Sequence, residues 1–96
     1  MPNNLHSEMF MRARAMRVYA NAGAEPPAAV AEVHERDKLL VQQLPHPHQE
    51  IVWLRCIEGM NWDEIAKATF YAKHTAADYN RRGIKMLEEI INGKQG

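Results

Sequence analysis

Apolar residues recur along the chain at helical spacing and nowhere sustain the two-residue alternation of a strand. One stripe in the second quarter of the chain is interrupted at Asp37 and consists of Val30, Val33, Leu40, Val41 and Leu44. Another, near the carboxyl end, consists of Ala76, Tyr79, Gly83, Leu87 and Ile90. Residues three and four apart share one face of an α-helix. The pattern therefore predicts an all-α fold.

Glycine and proline mark the ends of the predicted helices. Breaks are expected at Gly23 to Pro27 and at Leu44 to Pro47, and Gly59 and Gly93 are expected to follow helix ends, where a left-handed conformation favours glycine. Ala, Glu, Lys, Arg, Met, Leu and Gln, which favour helices, dominate between the breaks. These signals predict about five helices, over 5–22, 27–44, 47–58, 62–69 and 72–92.

The chain has 96 residues, enough for one small domain with a modest core. We divide it into an N-terminal helical extension, 1–44, and a helix-turn-helix domain, 45–96, which are expected to form one compact unit. Trp53 is expected to pack against residues 5–44, with exposure for a partner as the alternative. Trp62 is expected to pack against the neighbours of the short fourth helix. A version of the chain that begins at Leu44 should therefore be markedly less stable.

Composition excludes several classes of protein. Cys56 is the single cysteine, so no intramolecular disulfide is possible, and it is expected to act as a small buried apolar residue. No apolar run approaches the roughly 20 residues of a membrane span, and the first residues lack the pattern of a signal peptide. His46, His48 and Cys56 do not have zinc-ligand spacing, and no catalytic motif is present. We therefore expect a cytoplasmic protein that is not an enzyme and that has no cofactor, no metal and no membrane partner.

Charge is balanced overall, with 12 basic and 12 acidic residues, but it is unevenly distributed. Residues 25–37 sum to −3, whereas residues 73–85 sum to +3. The basic segment coincides with the last predicted helix. Arg12, Arg14 and Arg17 add a further basic group near the amino end, which is expected to be a solvated face, with an extended DNA footprint as the alternative.

The segment from Leu44 to Leu87 has the pattern of a helix-turn-helix. Asn61 and Glu64 have the spacing of a capping box at the start of a short helix. A tight turn at 69–71 follows, and the next helix carries a polar stripe opposite its apolar one. The second helix of such a motif fits the major groove of DNA, about 12 Å wide, and its N-terminal residues reach base edges.

This segment resembles the sigma-factor region-four helix-turn-helix, a module that binds the −35 promoter element. The resemblance runs without a gap from Pro47 to Leu87, and its ordered signature includes Leu44-Pro45, Gln49-Glu50-Ile51-Val52, Leu54-Arg55, Glu58-Gly59-Met60-Asn61-Trp62, Glu64-Ile65-Ala66, Tyr71, Thr75 and Arg81-Arg82-Gly83-Ile84-Lys85-Met86-Leu87. The N-terminal 44 residues are too few for a sigma factor's −10-binding domain, so the resemblance implies a small regulator. Phage and prophage late-gene activators and antitermination proteins use the same module.

The resemblance implies a DNA-binding transcription regulator whose helix 72–92 enters the major groove of double-stranded DNA. Lys73, Arg81, Arg82 and Lys85 are expected to contact phosphates, and His74, Thr75 and Asp78 to lie toward the bases. The alternative is an interaction module of the same fold that binds RNA polymerase or another regulator without recognising DNA. A homodimer remains open.

Four positions depart from the family pattern. Phe70 occupies a turn position that usually carries glycine, and Ala76 replaces a β-branched residue at the start of the recognition helix. Ala77 and Asp78 stand where promoter-binding members carry basic or amide side chains. An aspartate is repelled by phosphates, although it can accept a hydrogen bond from cytosine. The departures leave the fold expectation unchanged and weaken the expectation of specific DNA recognition.

Overall fold

A computed structural model describes residues 4–93, and every regular element in that range is an α-helix. The five helices are α1 (Leu5–Ala22), α2 (Ala28–Val41), α3 (His48–Cys56), α4 (Trp62–Thr69) and α5 (Lys73–Gly93). The all-α prediction with about five helices is confirmed, and each helix end lies within three residues of its predicted position. Within 4–93, no helix has the length and apolar character needed to cross a membrane.

Local chemistry explains where α1 ends and α4 begins. Gly23 closes α1 in the left-handed conformation, at φ 69°, and its N–H donates to the carbonyl of Ala20 at 3.1 Å. At the start of α4 the Asn61 side chain accepts from the Glu64 N–H at 2.8 Å, and the Glu64 carboxylate accepts from the Asn61 N–H at 2.9 Å. The predicted capping box is therefore confirmed.

Helices α2 and α3 end three and two residues before their predicted positions. The second helix ends at Val41 instead of residue 44, because the chain tightens there: Gln43 and Leu44 donate to carbonyls only three residues back as the backbone approaches Pro45. Gly93 does not follow the last helix but forms its final described residue. Its φ is not positive, unlike those of Gly23 and Gly59.

Helix α3 lies between two clusters of buried side chains. On one side, Val52 and Cys56 join residues of α1, α2 and α5 in the larger cluster, which comprises Leu5, Met9, Val41, Leu44, Val52, Cys56, Ile57, Ile84 and Leu87. On the other side, Ile51 meets Ile65 and Ala76. Trp53 is half-buried against the larger cluster, as predicted, and its Nε1–H donates to Glu58 at 3.1 Å. The N-terminal helices and the last three helices thus share one core.

The inner face of α2 contains two polar residues that the apolar stripe did not predict. His34 and Asp37 are buried together with Val41, whereas Val30 and Val33 are only half-buried. Asp37 is fully buried and accepts from the Arg12 guanidinium of α1, with Nε–Oδ2 at 2.8 Å and Nη2–Oδ1 at 3.2 Å. The interruption of the stripe is therefore an ion pair that joins α1 to α2.

The arginines of α1 do not form the expected solvated face. Arg14 and Arg17 both donate to the carbonyl of Gly59, at 3.0 Å and 2.8 Å, and Arg17 also pairs with Glu64 at 2.8 Å. The hydrogen bond from Arg17, and then the one from the Asn61 N–H, hold the pKa of Glu64 down at about 2. The basic group near the amino end binds α1 to the α3–α4 connection, so the solvated-face prediction is wrong.

Gly83 is required where α5 crosses α3. A Cβ at this position would lie 2.5 Å from Cγ2 of Val52, a buried β-branched side chain with little freedom to rotate. We expect Gly83→Ala to lower the free energy of unfolding by about 1–3 kcal/mol, as overpacked cores do. A thermal melt should therefore show a Tm lower by roughly 4–8 °C for each kcal/mol.

The matched control for this prediction is Gly93→Ala on the same helix. A Cβ at position 93 would meet no atom within 4 Å. Alanine favours a helix over glycine by about 1 kcal/mol, so this variant should melt at or above the wild-type temperature. Equal melting temperatures for the two variants would contradict the close crossing of α3 and α5.

Candidate nucleic-acid interface

The long helix α5 carries an exposed basic stripe on the side turned away from α3. Lys73 is its first residue, and Arg81, Arg82 and Lys85 follow on later turns, all with exposed side chains. The opposite side of the helix is held in the core through Ala76, Gly83 and Leu87. The buried positions confirm the predicted inner stripe, in which Tyr79 and Ile90 are partly buried.

Within the stripe, Asp78 is bonded to two of the cations. Its Oδ1 accepts from Nη2 of Arg81, and its Oδ2 forms an ion pair with Nε of Arg82 at 3.1 Å. At the start of the helix, Lys73 Nζ lies 2.9 Å from Oδ1 of Asp63, at the beginning of α4. The hydrogen bond from Lys73 lowers the pKa of Asp63 below its usual value. Three of the four predicted phosphate-binding cations therefore have a carboxylate partner within the chain.

These ion pairs are weak enough to be exchanged for other anions. All of the cations are more than half exposed, and such surface pairs contribute about 0.2–1 kcal/mol each. The four cations and the two carboxylates together carry two net positive charges. The stripe is thus a mildly basic surface whose cations can leave their internal partners at little cost in free energy.

The remaining predicted site residues lie along the same helix. His74 is exposed beside Lys73, and Thr75 is half-buried on the next position. Lys85 is exposed, and no carboxylate in residues 4–93 lies within ion-pair distance of it. All seven predicted residues belong to one helix; Thr75 and Asp78 are half-buried, and the other five are exposed.

Trp62 borders this surface from the start of α4. Its ring is half-buried, and the Arg55 guanidinium lies between it and Phe10, 4.3 Å and 3.8 Å from the two ring centroids. Arg55 also donates to the Met60 carbonyl at 3.0 Å. A guanidinium stacked between two rings fixes both of them. The prediction that Trp62 packs against its neighbours is confirmed, and the stack ties α1 to α4 through α3.

A groove follows α5 past this tryptophan. Two adjoining cavities of about 660 Å³ and 450 Å³ both border Trp62 and Ala77, whose small side chain leaves the ring accessible. His6 of α1 also lines the larger cavity, and its Nε2 accepts from Arg55 at 3.3 Å. Burial and then the charge of Arg55 lower the pKa of His6 below its usual value.

Sequence reasoning missed two members of this surface. His6 is 71 positions before Ala77, and only the packing of α1 on α3 brings it to the groove. Asp63 meets Lys73 only because α4 packs against α5. No local signal in the sequence could have located either contact.

Cys56 lies apart from the surface, in the core. Burial raises the pKa of its thiol to about 12, so the side chain is a neutral, apolar residue as expected. Within residues 4–93, no three His, Cys, Asp or Glu side chains are grouped so that they could hold a metal ion. His46, His48 and Cys56 do not converge on a common point.

Comparisons of the chain with protein-family models, with curated proteins and with solved structures find no match.

Proposed function

We propose that this protein is a DNA-binding transcription regulator that inserts α5 into the major groove. The observation that carries the proposal is the exposed stripe of Lys73, Arg81, Arg82 and Lys85 on a long helix that follows a capped short helix and a three-residue turn. A helix of this diameter fits the groove, and its N-terminal turns approach the base edges. The regulator would be of the phage type that the segment 47–87 resembles.

The cations of the stripe and the other polar residues of α5 have different roles in this proposal. The four cations contact phosphates, which position the helix without distinguishing sequences. His74 and Asp78 lie nearer the bases, where an imidazole can donate or accept and a carboxylate can accept from cytosine. Thr75 contacts a base only through the part of its side chain that remains exposed.

The internal ion pairs must open when DNA binds. Arg81 and Arg82 would exchange the carboxylate of Asp78 for phosphate oxygens, and Lys73 would leave Asp63 in the same way. Exchange of this kind involves little net change in free energy for exposed pairs, while the release of counterions from DNA favours binding. Affinity is therefore expected to be modest and strongly dependent on salt.

A salt series tests the proposal. Binding of the full chain to mixed-sequence duplex DNA should weaken linearly on a log–log plot, with a slope of about −3 to −4 for four phosphate contacts. Fluorescence anisotropy between low and physiological salt would measure that slope. Absent binding, or binding that does not change with salt, would overturn the proposal.

We expect Asp78→Asn to strengthen binding to duplex DNA in general, and least to duplexes that present cytosine to this position. The substitution removes the shared partner of Arg81 and Arg82 and one negative charge that phosphates would face. Affinity at low salt should rise about three- to tenfold, and the gain should shrink as salt increases. The measurement is the same anisotropy titration on two unrelated duplexes.

Glu89→Gln is the control for charge alone. Glu89 is exposed on the same helix, about 16 Å beyond Asp78 at 1.5 Å per residue. The variant therefore makes the same change in net charge, but far from the part of α5 that is proposed to enter the groove. Its affinity should stay within about twofold of wild type. Equal gains for Asp78→Asn and Glu89→Gln would show that only overall charge matters.

The groove beside Trp62 supports a second candidate function, a protein-interaction module. Trp62, Ala77 and Ile84 give the groove an apolar lining next to the basic stripe. Such a surface suits a segment of RNA polymerase or of another regulator. If the salt series shows no DNA binding, this candidate alone remains.

A further inference from the structure

The turn between α4 and α5 contains a strained residue that does not pack. Phe70 ends α4 in the left-handed conformation, at φ 66°, and its N–H donates to the carbonyl of Ala66 at 3.0 Å. It is the one non-glycine residue with positive φ among residues 4–93. Residues other than glycine and asparagine adopt this conformation at a cost in free energy.

Packing of the Phe70 side chain within the chain does not offset the free-energy cost of this backbone conformation. It is 95% exposed, the most exposed large apolar residue in the described range. Glycine would form the same turn without strain and without an apolar ring in water. The phenyl ring therefore contributes nothing to the fold, and strained exposed residues of this kind concentrate at functional sites.

The position of the turn indicates what the ring contacts. Phe70 precedes α5 by three residues, at the same end as Lys73 and His74, which are both exposed. In the proposed complex this end of the helix enters the major groove. A phenyl ring has no hydrogen-bond donor for a phosphate, and the apolar group that base pairs display in that groove is the thymine 5-methyl.

We propose that Phe70 packs against thymine methyl groups at the mouth of the major groove, beside the first turn of α5. The inference rests on the proposed DNA-binding function and adds a base preference to it. The chain would favour thymine-containing sites through an apolar contact, at a position outside the recognition helix itself.

A double-substitution cycle, which combines Phe70→Gly in the protein with replacement of thymine by uracil in the DNA, tests the contact. The full-length wild type and the variant are each titrated with mixed-sequence duplexes that contain thymine or, in its place, uracil, which lacks only the methyl group. Wild-type affinity should fall about fourfold or more for each contacted methyl that is removed. The variant should bind thymine DNA about as weakly as the wild type binds uracil DNA, and its own response to the replacement should be smaller.

Phe70→Gly is expected to stabilise the fold although it weakens DNA binding. Relief of the left-handed strain should raise the Tm by about 3–5 °C, after allowance for the greater flexibility of glycine in the unfolded chain. Phe70→Asn, which also tolerates this conformation, is the second variant and should lose the methyl response while it melts at or above the wild-type temperature.

The outcomes separate this inference from the proposed function. If the wild type binds duplex DNA and both variants keep the full methyl response, the Phe70 contact is wrong and the DNA-binding function stands. An equal loss of affinity on thymine and uracil DNA would also overturn the contact. If the wild type binds neither duplex at any salt concentration, both proposals fail.

Discussion

An Arg12→Ala variant is expected to unfold with a free energy about 3–5 kcal/mol below that of the wild type, which is much of the stability of a domain this size. The reason is the carboxylate left behind. Asp37 is 0% exposed and takes both of its short ion-pair contacts from Arg12. Arg36 lies 3.8 Å away with 63% of its side chain exposed, so it is a poor substitute. Chemical denaturation at pH 7 would measure the loss.

Two further variants show whether the buried charge is the cause. Arg36→Ala removes the exposed cation near the same carboxylate and should change stability by no more than about 0.5 kcal/mol. Arg12→Leu combined with Asp37→Leu removes both charges and should recover most of the loss, since a packed apolar pair often replaces a buried ion pair without cost. A double variant as unstable as Arg12→Ala would contradict this explanation.

Combined replacement of Arg81 and Arg82 by Ala is expected to lower affinity for any duplex DNA about 10- to 100-fold at moderate salt. Each guanidinium makes charge-assisted bonds that are stronger than neutral ones, and each contact releases a counterion. The slope of the salt dependence should therefore become shallower by about two. Because both side chains are exposed and their bonds to Asp78 are weak, the Tm should remain close to that of the wild type.

A matched pair of substitutions on α2 serves as the control. Arg36→Ala with Lys38→Ala removes the same two charges from a helix that contributes no residue to the groove beside α5. This variant should bind DNA within about threefold of the wild type. If the two double variants weaken binding equally, the stripe on α5 has no special role.

Short-range signals in the sequence predicted the elements of the fold well. Gly23 and the Asn61–Glu64 pair act within a few residues, so their spacing alone located the end of α1 and the start of α4. The inner stripe of α5 could be predicted equally well, because helical periodicity depends only on neighbours three and four positions away. Phe70 was noted as an unusual residue for its turn, and the structure shows the positive φ that makes it unusual.

Contacts between distant residues could not be predicted in the same way. Arg12 and Asp37 are 25 positions apart, and Arg17 and Glu64 are 47 apart. The arginines were therefore assigned to a solvated face, Asp37 to an interruption of the stripe, and Glu64 to the capping box alone. The partners of the basic stripe were missed for a similar reason, since Lys73 meets Asp63 only after α4 folds against α5. Charge alone does not indicate whether an arginine faces water, a buried carboxylate or DNA.

Amide NMR shifts of the full chain on titration with duplex DNA would show whether α5 is the surface that meets DNA. We expect the largest shifts between Lys73 and Lys85, with Phe70 beside them. The outer face of α2, at Glu32, Glu35 and Leu39, should not respond. Shifts confined to α2, or an unchanged spectrum at low salt, would contradict the claim.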